Sequence, residues 1–252
     1  MLIVSDVHAE FDGLASVAGM GKPLLVLGDL LNFIDYRTGE GMALEVYGRE
    51  FVNAMIDNRA RGDWQASRRL WAGVPEDRRQ DLRARIRAAA IRQYEQTTEA
   101  LRGATAYVTF GNVDWPEALR DCLPEGSVFV DGDVVEIEGR RVGFVGGGSP
   151  TPVNARGEVS HEDMAAKLDA LGKVDILCSH LPPAIEPLHR DVVTGRLERC
   201  SRPILDYILA HEPDWHFFGD VHQPQAQRWT VGRTRCVNVG YFRATRRAYE
   251  HP

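Results

Sequence analysis

The sequence predicts an α/β protein built on mixed β-sheets with flanking helices, and three observations carry that expectation. Short apolar runs rich in β-branched residues recur along the chain (LIVS, LLVLG, AYVTFG, VDILCS and WHFFG), and each ends in small or polar residues. Runs of this length and composition suit strands buried on both faces. Helix-like stretches fall between several of them, and two further regions read as antiparallel pairs closed on glycine turns.

In chain order, LIVS runs into Asp6 and is followed by a helix-like stretch, and LLVLG runs into Asp29. Residues 40–103 are rich in Arg, Glu, Gln and Ala, with helical periodicity and a Gly103 stop. They read as a helical insertion between two strands of a single domain spanning 1–252. Their arginines alternate with Glu and Asp, which describes a solvated helix face rather than a nucleic-acid surface. AYVTFG precedes Asn112, and VVEIEGRRVGFVGG reads as a hairpin turning at Gly139. The glycine-rich segment GGGSPTPVNARG, 146–157, lacks the lysine of a phosphate-binding P-loop and the spacing of a dinucleotide fingerprint. It reads as a tight loop at a sheet edge, with Arg156 and the later Arg199 as candidate substrate contacts. A helix is expected over 160–172 behind a Ser160–Asp163 capping box. VDILCS leads to His180, a second helix covers 201–211, WHFFG leads to Asp220, and QRWTVGRTRCVNV turns around Gly232.

Composition excludes several classes. Hydrophobic residues make up 44% and charged residues 26%, ordinary for a soluble globular protein. A net charge of -6 gives no general attraction to nucleic acid or anionic membrane, so neither is expected as a partner. The four cysteines lie far apart without a CxxC pair, which suggests reduced thiols. No apolar run approaches the ~20 residues of a membrane span, and the first residues leave no basic signal-peptide region, so a cytoplasmic protein is expected. A homo-oligomer is open.

The chemistry concentrates where apolar runs end: Asp6 and His8, Asp29, Asn112, His180, then Asp220 and His222. In open α/β sheets the carboxyl ends of neighbouring strands converge on one crevice. Carboxylate, carboxamide and imidazole together suit a divalent transition metal, especially Mn, Fe or Zn. Singly, each residue has a duller role in a turn or on the surface. Their repeated placement just past an apolar run makes coincidence a poor account.

The ordered blocks DVH, GDLLN, GNVD, SHLPP and GDVHQP resemble the calcineurin-like metallophosphoesterase family, from Asp6 to the NVGY stretch. The resemblance implies a four-layer α-β-β-α sandwich with two divalent metal ions at its rim. Asp6, His8 and His222 would hold the first ion, Asn112, His180 and Asp220 the second, and Asp29 would bridge them. It implies attack on phosphorus by a water that both ions activate, with Asn112 stabilising the equatorial oxygens.

Three positions depart from that pattern. Val113 stands where many relatives carry a proton-donating His; a branch with GNCD also lacks it and is associated with phosphodiesterase activity. His189 and His161 are the candidates for a substitute acid, though a surface role is the expected one for either. Asp220 replaces the first His of G-H-x-H and should favour Mn or Fe over Zn, with Mg a further candidate. Asn32 replaces a frequent Asp, while Asp114 matches the block's acidic end and is expected to support Asn112. The expected function is a phosphoesterase acting on a small phosphorylated substrate, a diester or nucleotide-like compound. The alternatives are a degenerate scaffold, as the similar retromer subunit is, and more weakly a nuclease, since no aromatic-basic stripe is visible.

Overall fold

The computed structural model describes residues 1–151 and 154–251. Among them, strands β1 (Leu2–Val4), β2 (Leu24–Leu27), β3 (Ala106–Thr109), β4 (Ser127–Phe129) and β11 (Tyr249–Glu250) form one sheet in the order β11-β1-β2-β3-β4. Only β11 runs antiparallel to its neighbour. The second sheet contains β5 (Asp133–Ile137), β6 (Arg140–Val145), β7 (Ile176–Ser179), β8 (Trp215–Phe218), β9 (Arg228–Val231) and β10 (Thr234–Asn238), ordered β5-β6-β7-β8-β10-β9. Its three central pairings are parallel, and the two expected hairpins form its antiparallel edges. Glu138 and Gly139 both adopt positive φ, which a two-residue turn of the primed type requires.

The layering follows from the period-two alternation of strand side chains. Ile3, Leu25 and Leu27 of the first sheet meet Phe144, Ile176, Cys178 and Phe217 of the second in one shared core. Their neighbours Leu2, Val4, Leu24 and Val26 face outward with Leu14 of α1 (Phe11–Ala18) and Leu119 of α6 (Pro116–Cys122). On the far side, Leu177 and Phe218 pack with Met164 of α7 (His161–Leu171) and Ile204 of α9 (Arg202–His211). Each fully buried Leu, Ile or Phe contributes roughly 1.5–3 kcal/mol of transfer free energy. The result is helix on sheet on sheet on helix.

Residues 40–103 fold as α2 (Met42–Tyr47), α3 (Arg49–Arg61), α4 (Trp64–Ala72) and α5 (Glu76–Ala100), between β2 and β3. Only α5 presents a long buried stripe, Leu82, Ile86, Ala89, Ala90 and Tyr94, and it lies against α1 and α6. The expected cap of α7 forms: the Ser160 hydroxyl accepts from Asp163 N at 3.0 Å and donates to the Asp163 carboxylate at 2.7 Å. No helix among the described residues is long and apolar enough to cross a membrane.

Candidate metal centre

Each of the anticipated ligands follows a strand, and the two sheets share the work. Asp6 and His8 follow β1, Asp29 follows β2, and Asn112 follows β3 of the first sheet; His180 follows β7, and Asp220 and His222 follow β8 of the second. The chain turns sharply at these ends. Asp6, Asp29 and Asp220 adopt φ of 59°, 53° and 64°, and His8 one of 41°. Asp and His tolerate this left-handed region better than most side chains, and such strain gathers at functional sites. Close approach also demands glycine: a Cβ on Gly111 would lie 2.1 Å from Asp29 Oδ1, and one on Gly219 would lie 2.4 Å from Asp6 Oδ2.

The side chains converge into two adjoining groups. Asp6, His8 and His222 bring ligand atoms within 4.8 Å of one another, and so do Asp6, Asp29 and His180. His222 Nε2 lies 3.4 Å from Asp6 Oδ1, and His8 Nε2 lies 3.6 Å from Asp29 Oδ2. On the other side His180 Nε2 is 3.5 Å from Asp29 Oδ1, 3.5 Å from Asp220 Oδ1 and 3.2 Å from Asn112 Oδ1. The two oxygens of Asp29 therefore face different imidazoles. His8 Nδ1 meets the Leu31 carbonyl at 3.0 Å and His180 Nδ1 the Leu27 carbonyl at 2.9 Å. Carbonyls accept only, so both rings carry a proton on Nδ1 and turn Nε2 inward.

A cation fits this arrangement on two counts. Asp6 Oδ1 and His8 Nε2 are buried and have no hydrogen-bond partner, although buried polar atoms are nearly always paired. The donor set of carboxylates, imidazoles and a carboxamide is one that binds divalent metals.

The electrostatics agree. Burial pushes the Asp29 carboxyl up to about 8, and Asp114, Asp6 and Asp220 add to the rise against the His180 imidazole. Burial would depress His180, but Asp29, Asp220 and Asp6 hold it well above the ordinary range. Burial also opposes the charged form of Asp6, yet His222, His180 and His8 leave it below the usual carboxylate range. His8 is lowered to about 4 by burial and then by the neighbouring His222. Protons occupy a cluster of negative charge that a cation would neutralise instead.

The remaining candidates have other positions. Asp114 is fully buried and receives the N–H groups of Leu30, Leu31 and Gly111 at 3.1, 3.2 and 2.9 Å. It thus ties the loop carrying Asp29 to the loop carrying Asn112. Val113 donates its N–H to Asp29 Oδ1 at 3.1 Å, and its side chain packs with the core on the helix side. His189 ends the short helix α8 (Glu186–His189), with Nδ1 2.9 Å from the Glu198 carbonyl, and His161 is exposed at the start of α7. Asn32 is buried, and its backbone is fixed by Gln93 and Met42. Arg156 lies 4.3 Å over the Trp115 ring, and Arg199 donates to the Pro150 carbonyl at 2.7 Å. The glycines of 146–148 allow backbone packing on the Asn112 loop, where a Cβ on Gly148 would fall 2.3 Å from Asn112 Cβ. Pro152 and Val153 of that segment lie outside the described residues. Two neighbours of the site escape sequence reasoning. Tyr241 stacks on His222, and Arg243 donates to the His8 carbonyl at 2.6 Å. The NVGY stretch ends on Tyr241, and no signal in the sequence points to Arg243.

No protein-family model and no curated protein matches the chain. Solved structures do. One crystal structure aligns over 96% of this chain and 90% of its own, with a TM-score of 0.64 and 16% identity. The crystal structure of the Thermus thermophilus protein TT1561 aligns over 98% and 96%, with a TM-score of 0.55 and 14% identity. At such identities the likeness is one of fold, and it extends over nearly the whole α/β architecture.

Proposed function

We propose that the chain is a dinuclear metal-dependent phosphoesterase of the calcineurin-like kind, acting on a small phosphodiester. One observation carries the reading. Asp29 turns Oδ2 toward His8 and Oδ1 toward His180, so a single carboxylate serves two adjoining ligand groups. Asp6, His8 and His222 would hold one ion, Asn112, His180 and Asp220 the other, with Asp29 shared. When bound, the pair supplies Lewis acidity toward phosphoryl oxygen and a nucleophile made from water near neutral pH.

The protein's own groups set the rest. The Leu31 and Leu27 carbonyls hold the protons of His8 and His180 on Nδ1, keeping both rings in the binding tautomer. With Oδ1 of Asn112 turned to His180, its NH2 is the donor available to a phosphoryl oxygen. Val113 supplies no proton to a leaving group. General acid catalysis typically gives ~10²–10⁴-fold, so substrates whose leaving group departs without strong protonation are favoured. Asp220, a hard oxygen donor, favours Mn or Fe over Zn.

The test is metal-free protein reconstituted separately with Mn, Fe, Zn and Mg and assayed on phosphomonoesters and diesters. Diester turnover with Mn or Fe is expected. Metal binding without turnover of any ester would overturn the enzyme reading in favour of a scaffold.

A further inference from the structure

The imidazoles of the centre are not all held in the same way. His8 and His180 each anchor Nδ1 on a backbone carbonyl. His222 has no such anchor: among the described residues no acceptor meets its Nδ1, and its side chain is 36% exposed. What fixes its ring is Tyr241, stacked at a centroid distance of 3.8 Å with only 5° between the planes. The same tyrosine sits edge-on to His8 at 5.9 Å and 74°. An unanchored, partly exposed imidazole can rotate about its side-chain bonds, and a flat aromatic face leaves it little freedom to do so.

The backbone around this stack is itself cross-linked. Asn238, at the end of β10, donates its amide to the Val221 carbonyl at 2.9 Å and accepts from Gly240 N at 2.8 Å. One side chain thereby fixes the residue before His222 relative to the residue before Tyr241. The following turn is joined to the other ligand loop, since Phe242 N and Arg243 N donate to the carbonyls of Ser5 and Asp6 at 3.1 Å each. Segment 238–243 therefore joins the two Asp-Val-His loops, one from each sheet.

We propose that Tyr241 is a positioning residue for the metal centre: its ring replaces the missing Nδ1 anchor of His222 and aims Nε2 at the ion shared with Asp6 and His8. The proposal rests on the metal-centre reading. The ring face does the positioning, so the hydroxyl is dispensable.

The test is Mn²⁺ titration of metal-free protein by calorimetry, with bound metal counted by elemental analysis, for wild type, Tyr241→Phe, Tyr241→Leu and Tyr241→Ala. Thermal unfolding in EDTA checks that each variant is folded; Tyr241 is half-buried, and Leu preserves its apolar bulk. Groups that orient a metal ligand typically contribute ~10–100-fold in affinity. Leu and Ala should lose about that much at one site only, while Phe keeps the wild-type isotherm. Wild-type affinity in folded Tyr241→Ala would overturn the proposal, and so would an equal loss in Phe and Ala. Failure of wild-type protein itself to bind Mn²⁺ would instead overturn the metal-centre reading, and is visible before any variant is made.

Discussion

Replacing Asp29 by Asn should stabilise the metal-free protein and abolish its response to metal. Asn is the informative choice because it tolerates the positive φ of 53° and can still accept from Val113 N. In the wild type, burial raises this carboxyl from 3.8 to about 8. Between those values the folded chain holds a proton that the unfolded chain has released, so stability is greatest below the lower value and falls as pH rises toward the upper. Each pH unit in that window is worth ~1.4 kcal/mol, or roughly 4 kcal/mol by pH 7 for an isolated group. The raised value already includes the opposing attraction to His180, so the contribution stays at about 4 kcal/mol. For a chain of this size that is roughly 5–15 °C in Tm. Thermal melts in EDTA at pH 7 should show the gain, and it should shrink as the pH is lowered toward 4. In Mn²⁺ the order should change. Wild type gains about 2.7 kcal/mol per site at a hundred times Kd, and the variant gains nothing. A variant less stable than wild type in EDTA, or one still stabilised by Mn²⁺, would refute the reasoning.

Three further outcomes follow from the same electrostatics. Mn²⁺ must displace at least the Asp29 proton, so its affinity should fall about tenfold per pH unit below about 8; calorimetry in buffers of different ionisation enthalpy reads the released proton. His216, buried beside the Ser179 hydroxyl, is lowered by burial to about 3, so it stays neutral in the fold while the unfolded imidazole protonates below about 6.5. Stability is therefore lost as pH falls through that window, by up to about 5 kcal/mol, and urea midpoints of His216→Gln should show a flatter acid limb. Asp114→Asn turns an amide NH2 toward Gly111 N, which should cost about 1–3 kcal/mol in urea denaturation and weaken metal binding together.

Much of this arrangement was legible because its signals are local. A buried parallel strand needs a continuous apolar run, and each of the five runs named from sequence became a strand. The Gly139 and Gly232 turns and the Ser160 cap work within a few residues, so they too could be read. Strand β4 could not: Ser127–Phe129 is half-exposed and owes its place to β3. β11 is two residues long and exists through its pairing with β1. The insertion read as one helical region, but four helices form, because breaks such as Gly62 and the Asp63 cap outweigh its overall composition. Within the site the ligand positions were legible and their supports were not. Asp114 reaches Leu30 and Leu31 across more than eighty residues, and Tyr241 meets His222 only through the fold.

The two Asp-Val-His segments now have a physical explanation. Asp6 and Asp220 follow strands of opposite sheets, both in left-handed conformation, and each is followed by a buried valine, Val7 and Val221. The valine pins the turn while the flanking Asp and His project into the cleft, so the same three residue types serve each sheet. The loops then lock together, with Asp220 N donating to Asp6 Oδ2 at 3.0 Å and the Leu27 carbonyl of one sheet meeting His180 of the other at 2.9 Å. Their carboxylates diverge, however: Asp6 Oδ1 faces His222 and Asp220 Oδ1 faces His180. The seam between the sheets thus carries Asp6, Asp29 and Asp220 close together, and burial with the neighbouring carboxylates keeps a proton on Asp29. A metal ion there would displace that proton and link the ligand loops of both sheets at once.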